Sequence, residues 1–325
     1  MDKKFDAICL GTCLLDISTS GLDFNTFLET EPNLAESITY SAGGDAVNEA
    51  MAMSKLGNRV GLISRVGDDF IGRFLLEQAE AAGVDVASVY RDPDAPTAAN
   101  NILIGAKDKR IYTISKNKTS RTEFCEDDVD YEVIRRARLI AFGSIFVHEK
   151  FDDRALTHLF QTAKQNGAIT CADVGPTAAH CSLDGLRHAL PYLDYLFPNE
   201  REAAMLSGKR DPDEMADYFL NLGIGTVAIK FGAKGSLIKN KKTRFFQQPF
   251  YVDPIDTTGA GDCYAAGFMS GLIHELPLEA CAAYASATGA LAVGRVGATA
   301  GIESAKQVEA FLESRNKRMK ITPCV

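Results

Sequence analysis

The stretch Asp256–Asp262, which reads D-T-T-G-A-G-D, constrains this chain more than any other. The aromatic and β-branched residues 245–252 precede it and predict a strand, and the small apolar residues 265–273 follow it and predict a buried helix. Small residues at such a junction let the backbone approach a ligand, and the first helical turn offers unpaired N–H groups. The sequence therefore predicts an anion site formed by Gly259, Ala260 and Gly261.

Asp262 lies in the first turn of this predicted helix, beside the predicted anion. A carboxylate there repels a bound phosphoryl group unless it has a chemical role, and the natural role is to accept a proton from an attacking hydroxyl. We expect the helix dipole to depress the pKa of Asp262. The alternative is a glycine-rich turn with an aspartate that caps the helix.

The same seven residues resemble the C-terminal signature of the ribokinase-like (PfkB) family of carbohydrate kinases. In that family the Gly-Ala-Gly backbone forms an anion hole and the last aspartate is the catalytic base. The resemblance therefore implies an enzyme that uses ATP and Mg²⁺ to phosphorylate a small-molecule sugar. It assigns the catalytic roles to Asp262, Gly259, Ala260 and Gly261.

The order of apolar runs predicts an α/β fold with a doubly wound, mostly parallel sheet and helices on both faces. A short apolar strand at residues 7–11 opens the chain, and from residue 139 onward strands alternate with helices as in repeated βαβ units. No long linker or internal repeat interrupts this pattern. We therefore expect a single ribokinase-like domain over residues 1–325.

Residues 97–116 predict a β-hairpin, because polar and apolar residues alternate on both sides of a turn at Ala106–Lys109. The family resemblance joins this hairpin and a strand near Ile38–Tyr40 in a small β-sheet that covers the sugar. We expect this lid to come from residues 12–41 and 97–116. An ordinary edge hairpin is the alternative. A lid of this kind also allows a homodimer that pairs through it.

A glycine pair, Gly43-Gly44, precedes a helix that is predicted to end at Gly57. Paired glycines let the backbone approach a ligand, but ordinary helix capping explains the pattern equally well. The spacing resembles the family's N-terminal signature. The resemblance therefore assigns substrate binding to residues of this segment, to a carboxylate beyond the first strand and to an asparagine of the hairpin. These residues are Asp16, Gly43, Gly44, Asp45, Asn48 and Asn101.

The segment Asn199–Glu202 follows a strand and has the spacing of a capping box. The family carries N-x-x-E here, with a glutamate that organises Mg²⁺ and phosphate, so the resemblance assigns Glu202 to Mg²⁺. Residues 230–235 resemble the family's nucleotide loop, in which Lys230 reaches phosphate or forms a salt bridge. A later helix, with serine where the family typically has asparagine, is expected against adenine. The nucleotide-binding residues are thus Asn199, Lys230, Gly232, Gly235 and Ser286.

Many family members bind K⁺ beside the anion hole. The resemblance assigns a monovalent-cation site to Asp256, Thr258, Ala292, Arg295 and Gly297. A cation there would neutralise Asp256 and fix the turn that carries the anion hole. The alternative is that Asp256 caps its own turn through Thr258 and binds no ion.

The charge balance and the cysteines limit the partners of this chain. Its net charge of −8, from 35 basic and 43 acidic residues, argues against a nucleic-acid surface. The sequence has no signal-peptide pattern and no apolar run of about 18 residues, so we expect a cytoplasmic protein without a membrane partner.

The eight cysteines lack metal-site spacing and are expected to be reduced. Cys263 is a candidate reactive thiol beside the predicted anion site.

The residues and the resemblance together predict an ATP-dependent kinase that phosphorylates a hydroxyl of a neutral sugar. A neutral sugar is favoured because the chain lacks the asparagine and arginine that many members carry after Asp173, and because Asp45 disfavours an anion. A nucleoside kinase of the same fold is the close alternative and would need an aromatic residue that stacks on the base. An oxidoreductase is less consistent, since a G-x-G-x-x-G pattern beginning at Gly259 fails at Tyr264. Retention of Asp262 argues against a catalytically inactive sugar sensor.

Overall fold

Short apolar runs bounded by glycine, proline and polar residues form the strands. The structure, a computed structural model, describes residues 3–29, 31–105, 109–115, 117–175 and 183–319. Its strands are β1 (Phe5–Gly11), β2 (Leu14–Leu22), β3 (Ser37–Gly43), β4 (Val60–Ile63), β5 (Arg65–Gly67), β6 (Tyr90–Asp92), β7 (Ala99–Gly105), β8 (Arg110–Ile114), β9 (Ala137–Gly143), β10 (Ile169–Asp173), β11 (Tyr195–Phe197), β12 (Thr226–Lys230), β13 (Ser236–Asn240) and β14 (Arg244–Gln247).

Longer stretches with a capping residue and an apolar face form the helices. At the start of one helix, for example, Asp152 Oδ1 accepts a hydrogen bond from Ala155 N at 2.8 Å. No helix among the described residues is long and apolar enough to cross a membrane. The helices are α1 (Asp45–Lys55), α2 (Phe70–Ala81), α3 (Ser120–Glu123), α4 (Tyr131–Arg135), α5 (Asp153–Gln165), α6 (Glu200–Ser207), α7 (Pro212–Asn221), α8 (Ala260–Ile273), α9 (Leu278–Ala292) and α10 (Ala305–Met319).

The large sheet has the strand order β14-β13-β12-β11-β10-β9-β1-β4 in the described part of the chain. The strands from β12 to β4 run parallel, and β13 and β14 add an antiparallel edge. The chain moves from β1 to β4 on one side and later to β9 on the other, so the strand order reverses at β1. Such a reversal opens a crevice at the carboxyl ends of the strands. The predicted doubly wound, mostly parallel sheet is confirmed.

Helices cover both faces of this sheet. Along β1, Ala7 and Cys9 belong to the core packed by α1, α8 and α9, whereas Ile8 and Leu10 belong to the core packed by α5 and α7. Successive side chains of a strand point to opposite faces, which explains the division. Because both faces are buried, the strands appear in the sequence as nearly continuous apolar runs.

A smaller sheet has the order β3-β2-β7-β8 within the described residues. Strands β7 and β8 pair antiparallel, with Ile102 opposite Tyr112, so the predicted hairpin is confirmed. Residues 106–108 of its predicted turn lie outside the described residues. The segment around Ile38–Tyr40 belongs to β3, which pairs with β2. The sheet therefore draws on both predicted lid segments, and its action as a lid remains a prediction.

The strand predicted before the glycine motif is shorter than expected. It ends at Gln247, and an irregular segment connects it to α8 at Ala260. Pro249 and Pro254 lie in this segment and lack the N–H donor that a continuing strand needs. The anion motif therefore follows a loop rather than a strand.

Two glycines of α8 bring this helix close to α9. A β-carbon at Gly267 would lie 2.6 Å from Thr288 Oγ1 and 3.0 Å from Ala285 Cα. A β-carbon at Gly271 would lie 3.0 Å from Cys281 Sγ. This close packing holds α8, which carries the glycine motif at its start, against α9.

We expect Gly267→Val to lower the free energy of unfolding by about 1–3 kcal/mol, because the added methyl groups have no room against α9. Urea denaturation measures the change. Gly185→Ala is the matched control, since a β-carbon at Gly185 meets no heavy atom within 4 Å. Equal stabilities for the two variants would contradict the close packing of α8 and α9.

Candidate active site

The first turn of α8 carries the residues that are predicted to form an anion site. Gly259 is the residue before the helix and has φ = 71°, and a β-carbon there would lie 2.5 Å from Ala298 O, so glycine is required. A β-carbon at Gly261 would lie 3.3 Å from Lys230 Nζ. The helix N-terminus and the lysine ammonium therefore direct positive charge to the same place.

Asp262 faces a cavity from this same turn. Its Oδ2 accepts a hydrogen bond from Asn48 Nδ2 at 2.7 Å. Burial, followed by the neighbouring Asp173, raises the pKa of Asp262 to about 6. The expectation of a depressed pKa is wrong, because desolvation and negative neighbours outweigh the helix dipole. A carboxyl group with this pKa is a better proton acceptor than an ordinary aspartate.

Lys230 is ion-paired with Asp173, and the two residues end β12 and β10, the strands on either side of β11. Nζ of Lys230 lies 2.7 Å from Asp173 Oδ2 and 2.9 Å from Oδ1. Burial alone would lower the pKa of Lys230, but Asp173 and Glu202 raise it, so the ammonium stays charged. The salt-bridge alternative for Lys230 is thus present in the structure. Lys230 Nζ also lies close to Gly261, but a role of Lys230 in phosphate binding remains a prediction.

Glu49 is a buried carboxyl group that the sequence did not single out. It lies on α1 one turn after Asp45, is 1% exposed, and neither of its oxygens has a hydrogen-bond partner in the described structure. Burial raises the pKa of Glu49 well above its ordinary value of 4.5, and Asp173 and Asp262 add to the shift. Burial therefore favours the neutral form of this side chain beneath the site. The only sequence feature that could have indicated a place for Glu49 near the site is its i, i+4 spacing from Asp45, and this feature is weak.

A cavity of about 500 Å³ opens beside the start of α8. Its volume lies in the range of small-molecule binding sites. The lining comes from the small sheet, from the segments that follow β1 and β9, from α1, from the start of α8 and the loop before it, and from the short helix α3. Its charged and amide side chains include Asp16, Asp45, Asn48, Asn100, Arg121 and Asp262.

Asp16 and Asp45 both reach this cavity. Asp16 Oδ1 accepts a hydrogen bond from Asn100 Nδ2 at 3.0 Å, and burial raises its pKa to about 6. Asp45 Oδ2 accepts a hydrogen bond from Ser144 Oγ. A β-carbon at Gly43 would collide with the Asp16 carboxylate, so this glycine makes room for Asp16. Gly44 has φ = 98° at the start of α1 and is itself part of the lining.

Asn101 lies outside this cavity. Neighbouring residues of a strand point to opposite faces, and here Asn100 faces Asp16 while Asn101 is exposed on the other face of the small sheet. The structure therefore places Asn100, rather than the predicted Asn101, in the lining of this cavity, and substrate binding by an asparagine of this strand remains a prediction. Alternation alone located the strand but did not say which face covers the cavity.

Arg110 joins the small sheet to the glycine motif. Its Nη1 donates a hydrogen bond to Thr258 Oγ1 at 2.8 Å, and its Nη2 lies 3.4 Å from Asp256 Oδ1. The sequence analysis placed Arg110 in the hairpin and gave it no role. Pairing of β8 with the rest of the small sheet brings it across the cavity, which no local signal could reveal.

Glu202 and Asn199 form the capping box that their spacing predicts. Asn199 Oδ1 accepts a hydrogen bond from Glu202 N, and Glu202 Oε2 accepts one from Asn199 N, both at 2.9 Å. Glu202 is 7% exposed, and burial raises its pKa to about 8 although Lys230 opposes the shift. The capping alternative is therefore present, and a metal role for Glu202 remains a prediction.

Four of the predicted nucleotide residues follow or end inner strands of the large sheet: Asn199 follows β11, Lys230 ends β12, and Gly232 and Gly235 lie between β12 and β13. The backbone N–H of Lys230 donates to the carbonyl that precedes Asn199, at 2.8 Å, and the turn with Gly232 and Gly235 then leads into β13. Ser286 lies on α9, and within the described residues no hydrogen bond connects it to that turn. The structure thus joins Asn199 to the strand end at Lys230, and nucleotide binding remains a prediction.

The predicted cation residues lie on two adjacent loops. Asp256 Oδ1 accepts hydrogen bonds from Thr258 N at 3.0 Å and Thr258 Oγ1 at 2.7 Å, and its Oδ2 accepts one from Gly297 N at 2.9 Å. Burial would raise the pKa of Asp256, but these hydrogen bonds lower it. The Arg295 guanidinium is directed elsewhere and pairs with Glu303 at 2.6 Å. Ala292 ends α9 beside these loops.

Cys263 is not a reactive thiol in this structure. It is 0% exposed, its Sγ lies 3.3 Å from Ala298 O, and burial raises its pKa. The helix N-terminus argument fails here because the thiol points into the core rather than toward the anion site. Cys181 and Cys324 lie outside the described residues.

The fold, the anion site and the polar cavity together define a carbohydrate kinase of the α/β class. The chain belongs to the pfkB family of carbohydrate kinases, whose family profile matches residues 4–305. It is 30% identical over 323 residues to a 2-dehydro-3-deoxygluconokinase of Bacillus subtilis (strain 168), with 93% of this chain and 96% of that protein covered. The family resemblance is confirmed, and the oxidoreductase alternative is excluded.

Solved structures share the fold. A ribokinase of Arabidopsis thaliana, complexed with ribose and ATP, matches with a TM-score of 0.81 at 22% identity and covers 96% of this chain and 99% of its own. An E. coli protein assigned as ribokinase II, in complex with ATP and Mg²⁺, also gives a TM-score of 0.81, at 23% identity, with 97% and 100% covered. At these identities the likeness establishes the fold.

We expect Glu49→Gln to stabilise the protein increasingly as pH rises. The folded pKa of Glu49 is raised, so wild-type stability is full below the unfolded pKa of 4.5 and falls as pH increases toward the folded pKa, whereas glutamine does not titrate. Between about pH 5 and pH 7 the stability of the variant relative to wild type should therefore rise with pH. Chemical denaturation at each pH measures the difference.

The control for this experiment is Glu77→Gln, which changes an exposed glutamate of α2. Its stability relative to wild type should not depend on pH in this range. A pH-independent difference for Glu49→Gln as well would show that Glu49 titrates normally in the folded protein.

Proposed function

We propose that this chain transfers the terminal phosphoryl group of ATP to a hydroxyl group of a sugar, with Mg²⁺ as the metal. The observation that carries the proposal is the position of Asp262. It faces the cavity from the first turn of α8, beside the backbone of Gly259 and Gly261, and Asn48 orients it. A hydroxyl bound in the cavity would lie between a proton acceptor and an anion site, which is what phosphoryl transfer requires.

In this proposal Asp262 accepts the proton of the attacking hydroxyl. Its pKa of about 6 leaves it mostly ionised at neutral pH and still basic enough to act. The amides of Gly259, Ala260 and Gly261 stabilise the charge on the transferring group, and the nearby ammonium of Lys230 adds to this effect.

Glu202 is proposed to bind Mg²⁺, directly or through water. One of its oxygens caps α6, and the other accepts no hydrogen bond within the described structure. Its pKa of about 8 means that a nearby cation is needed to keep it ionised at neutral pH. Mg²⁺ commonly takes one or two carboxylates together with substrate phosphates, whose charge it neutralises when bound. The residues proposed to bind the nucleotide are Asn199, Lys230, Gly232, Gly235 and Ser286.

Residues at the cavity are proposed to bind the sugar hydroxyls. Asp16 and Asp45 each offer carboxylate oxygens, and Gly44 and Asn48 complete this side of the site. The sequence favours a neutral sugar for these acceptors, and that preference remains a prediction. The cavity also contains a cation that the sequence analysis did not identify, the guanidinium of Arg121.

A nucleoside kinase is the second candidate. It needs an aromatic residue to stack on the base, and the cavity lining includes Tyr112 from β8. A screen that contains both sugars and nucleosides distinguishes the two activities.

A monovalent cation is proposed between the two loops that Asp256 connects. Ile255 N donates to Val293 O at 2.8 Å, and Gly297 N donates to Asp256 Oδ2, so the loops are already adjacent. The proposed ligands are carbonyl and carboxylate oxygens of Asp256, Thr258, Ala292, Arg295 and Gly297. The cation would share the Asp256 carboxylate with Arg110 and hold the turn that carries Gly259.

The small sheet is proposed to act as a lid and as a homodimer surface. Its face opposite the cavity exposes Ile38, Tyr40 and Ile111. Apolar groups grouped on one exposed face favour association with another surface, and a second copy offers the same face.

We expect ATP turnover when the enzyme is assayed against a panel of sugars and nucleosides, and Asp262→Asn should lower kcat by about 10²–10⁴. The affinity for ATP should change little, because the proposed nucleotide residues remain. In wild type, kcat/KM should fall below about pH 6 as Asp262 becomes protonated.

The matched control is Asp68→Asn, which removes an exposed carboxylate far from the cavity lining. It should keep normal turnover. Near-normal turnover in Asp262→Asn as well would remove Asp262 from the chemistry and leave its glycine neighbours as a turn.

We expect K⁺ to increase the initial rate relative to Na⁺ and tetramethylammonium at equal ionic strength and fixed Mg²⁺. The cation would fix the turn that carries Gly259 before the reaction begins. Asp256→Asn should abolish the selective gain. Equal rates in all three salts would rule out a role for a monovalent cation.

A further inference from the structure

The charge state of the cavity lining points to the chemistry of the substrate. Among the side chains that line the cavity, Asp16 accepts a hydrogen bond from Asn100, and Asp45 accepts one from Ser144. Arg110 is engaged with Asp256 and Thr258. These groups have partners in the described structure before any ligand binds.

Arg121 differs from them. It lies on the short helix α3 and lines the cavity, its Nε is sealed from solvent without a hydrogen-bond partner, and it forms no ion pair with a described residue. Burial lowers the pKa of Arg121, and the carboxylate that opposes this shift is the exposed Glu149. Nε is buried, so the part of the side chain that lines the cavity is its end. We therefore infer that the two terminal amino groups of Arg121 are available to a ligand.

Other cations in this part of the structure are paired with carboxylates. Arg65 pairs with Asp92 at 2.8 Å and with Asp128 at 3.2 Å, and Lys150 pairs with Glu123 at 2.8 Å. A partly buried guanidinium without a counter-ion is costly unless a ligand supplies the negative charge. An anionic group in the cavity would supply it.

We propose that Arg121 binds a carboxylate or phosphate substituent of the sugar, so that the substrate is an acidic sugar rather than a neutral one. This inference rests on the proposed function and specifies its substrate class. A planar guanidinium matches both anions through paired hydrogen bonds. The hydroxyl groups of the same molecule would donate hydrogen bonds to Asp16 and Asp45. In the part of the chain that the structure describes, neither aspartate is ion-paired with Arg121.

The sequence favoured a neutral sugar for a reason that the structure explains. Many family members carry an arginine after the residue that corresponds to Asp173, at the end of β10, and this chain does not. Arg121 comes instead from α3, which follows the hairpin, and α3 reaches the cavity through tertiary packing. The cation is therefore present in the site although it is absent from the expected position in the chain.

The test compares acidic sugars with matched neutral ones in an ADP-release assay. The panel pairs 2-dehydro-3-deoxygluconate and gluconate with fructose and glucose, and fructose 6-phosphate and ribose 1-phosphate with fructose and ribose. We expect one acidic class to have the higher kcat/KM, and the two arms distinguish carboxylate from phosphate. Arg121→Met should lower kcat/KM for that acid by about 10–100-fold, mainly through KM, and change neutral sugars by less than about threefold.

Two further variants control the experiment. Arg121→Lys keeps the positive charge but loses the planar fork, so it should recover part of the affinity. Arg91→Met removes an exposed arginine away from the cavity lining and should leave kcat/KM unchanged for every substrate.

Thermal unfolding gives a readout that does not depend on turnover. The preferred acid should raise the Tm of wild type and not that of Arg121→Met, while the variant without ligand should be at least as stable as wild type. Preference for a neutral sugar, with no effect of Arg121→Met, would overturn the inference and leave the kinase activity intact. Failure of ATP turnover with every sugar would instead overturn the proposed function, and the Tm shifts would still decide whether Arg121 binds an anion.

Discussion

The ammonium group of Lys230 is the cation on which the charge balance of this site depends. It lies 2.7 Å from Asp173 Oδ2, and it opposes the rise in pKa that burial causes in Asp45, Glu49, Glu202 and Asp262. These carboxyl groups meet because parallel strands present their carboxyl ends at one edge of the sheet. Without the ammonium, the buried carboxyl groups would have to take up protons or move apart.

Desolvation sets the reactivity of the groups around this ion pair. Asp262 and Cys263 are neighbours at the start of α8, yet burial raises the pKa of both. Burial favours the neutral form of Glu49 beneath them, and Arg121 lines the cavity with a partly buried guanidinium. Charges held in a poorly solvated site interact strongly with a ligand, because little water remains to screen them.

The small sheet and the glycine motif are mechanically connected. Arg110 on β8 reaches Thr258 and Asp256, and Asp256 in turn accepts a hydrogen bond from Gly297. A ligand that moves the small sheet would therefore act on the turn that carries Gly259. If the small sheet acts as the proposed lid, these contacts give it a physical route to the proposed anion site.

The sequence by itself determined the doubly wound sheet, the hairpin, the capping box at Asn199 and the glycine motif, because these depend on local periodicity, capping and backbone freedom. Tertiary structure alone decided which hairpin asparagine faces the cavity, the raised pKa of Asp262, the buried thiol of Cys263 and the arrival of Arg110 and Arg121. Strand pairing sets which face of a strand is covered, and packing sets desolvation. Both depend on residues distant in the chain, so no local pattern can encode them.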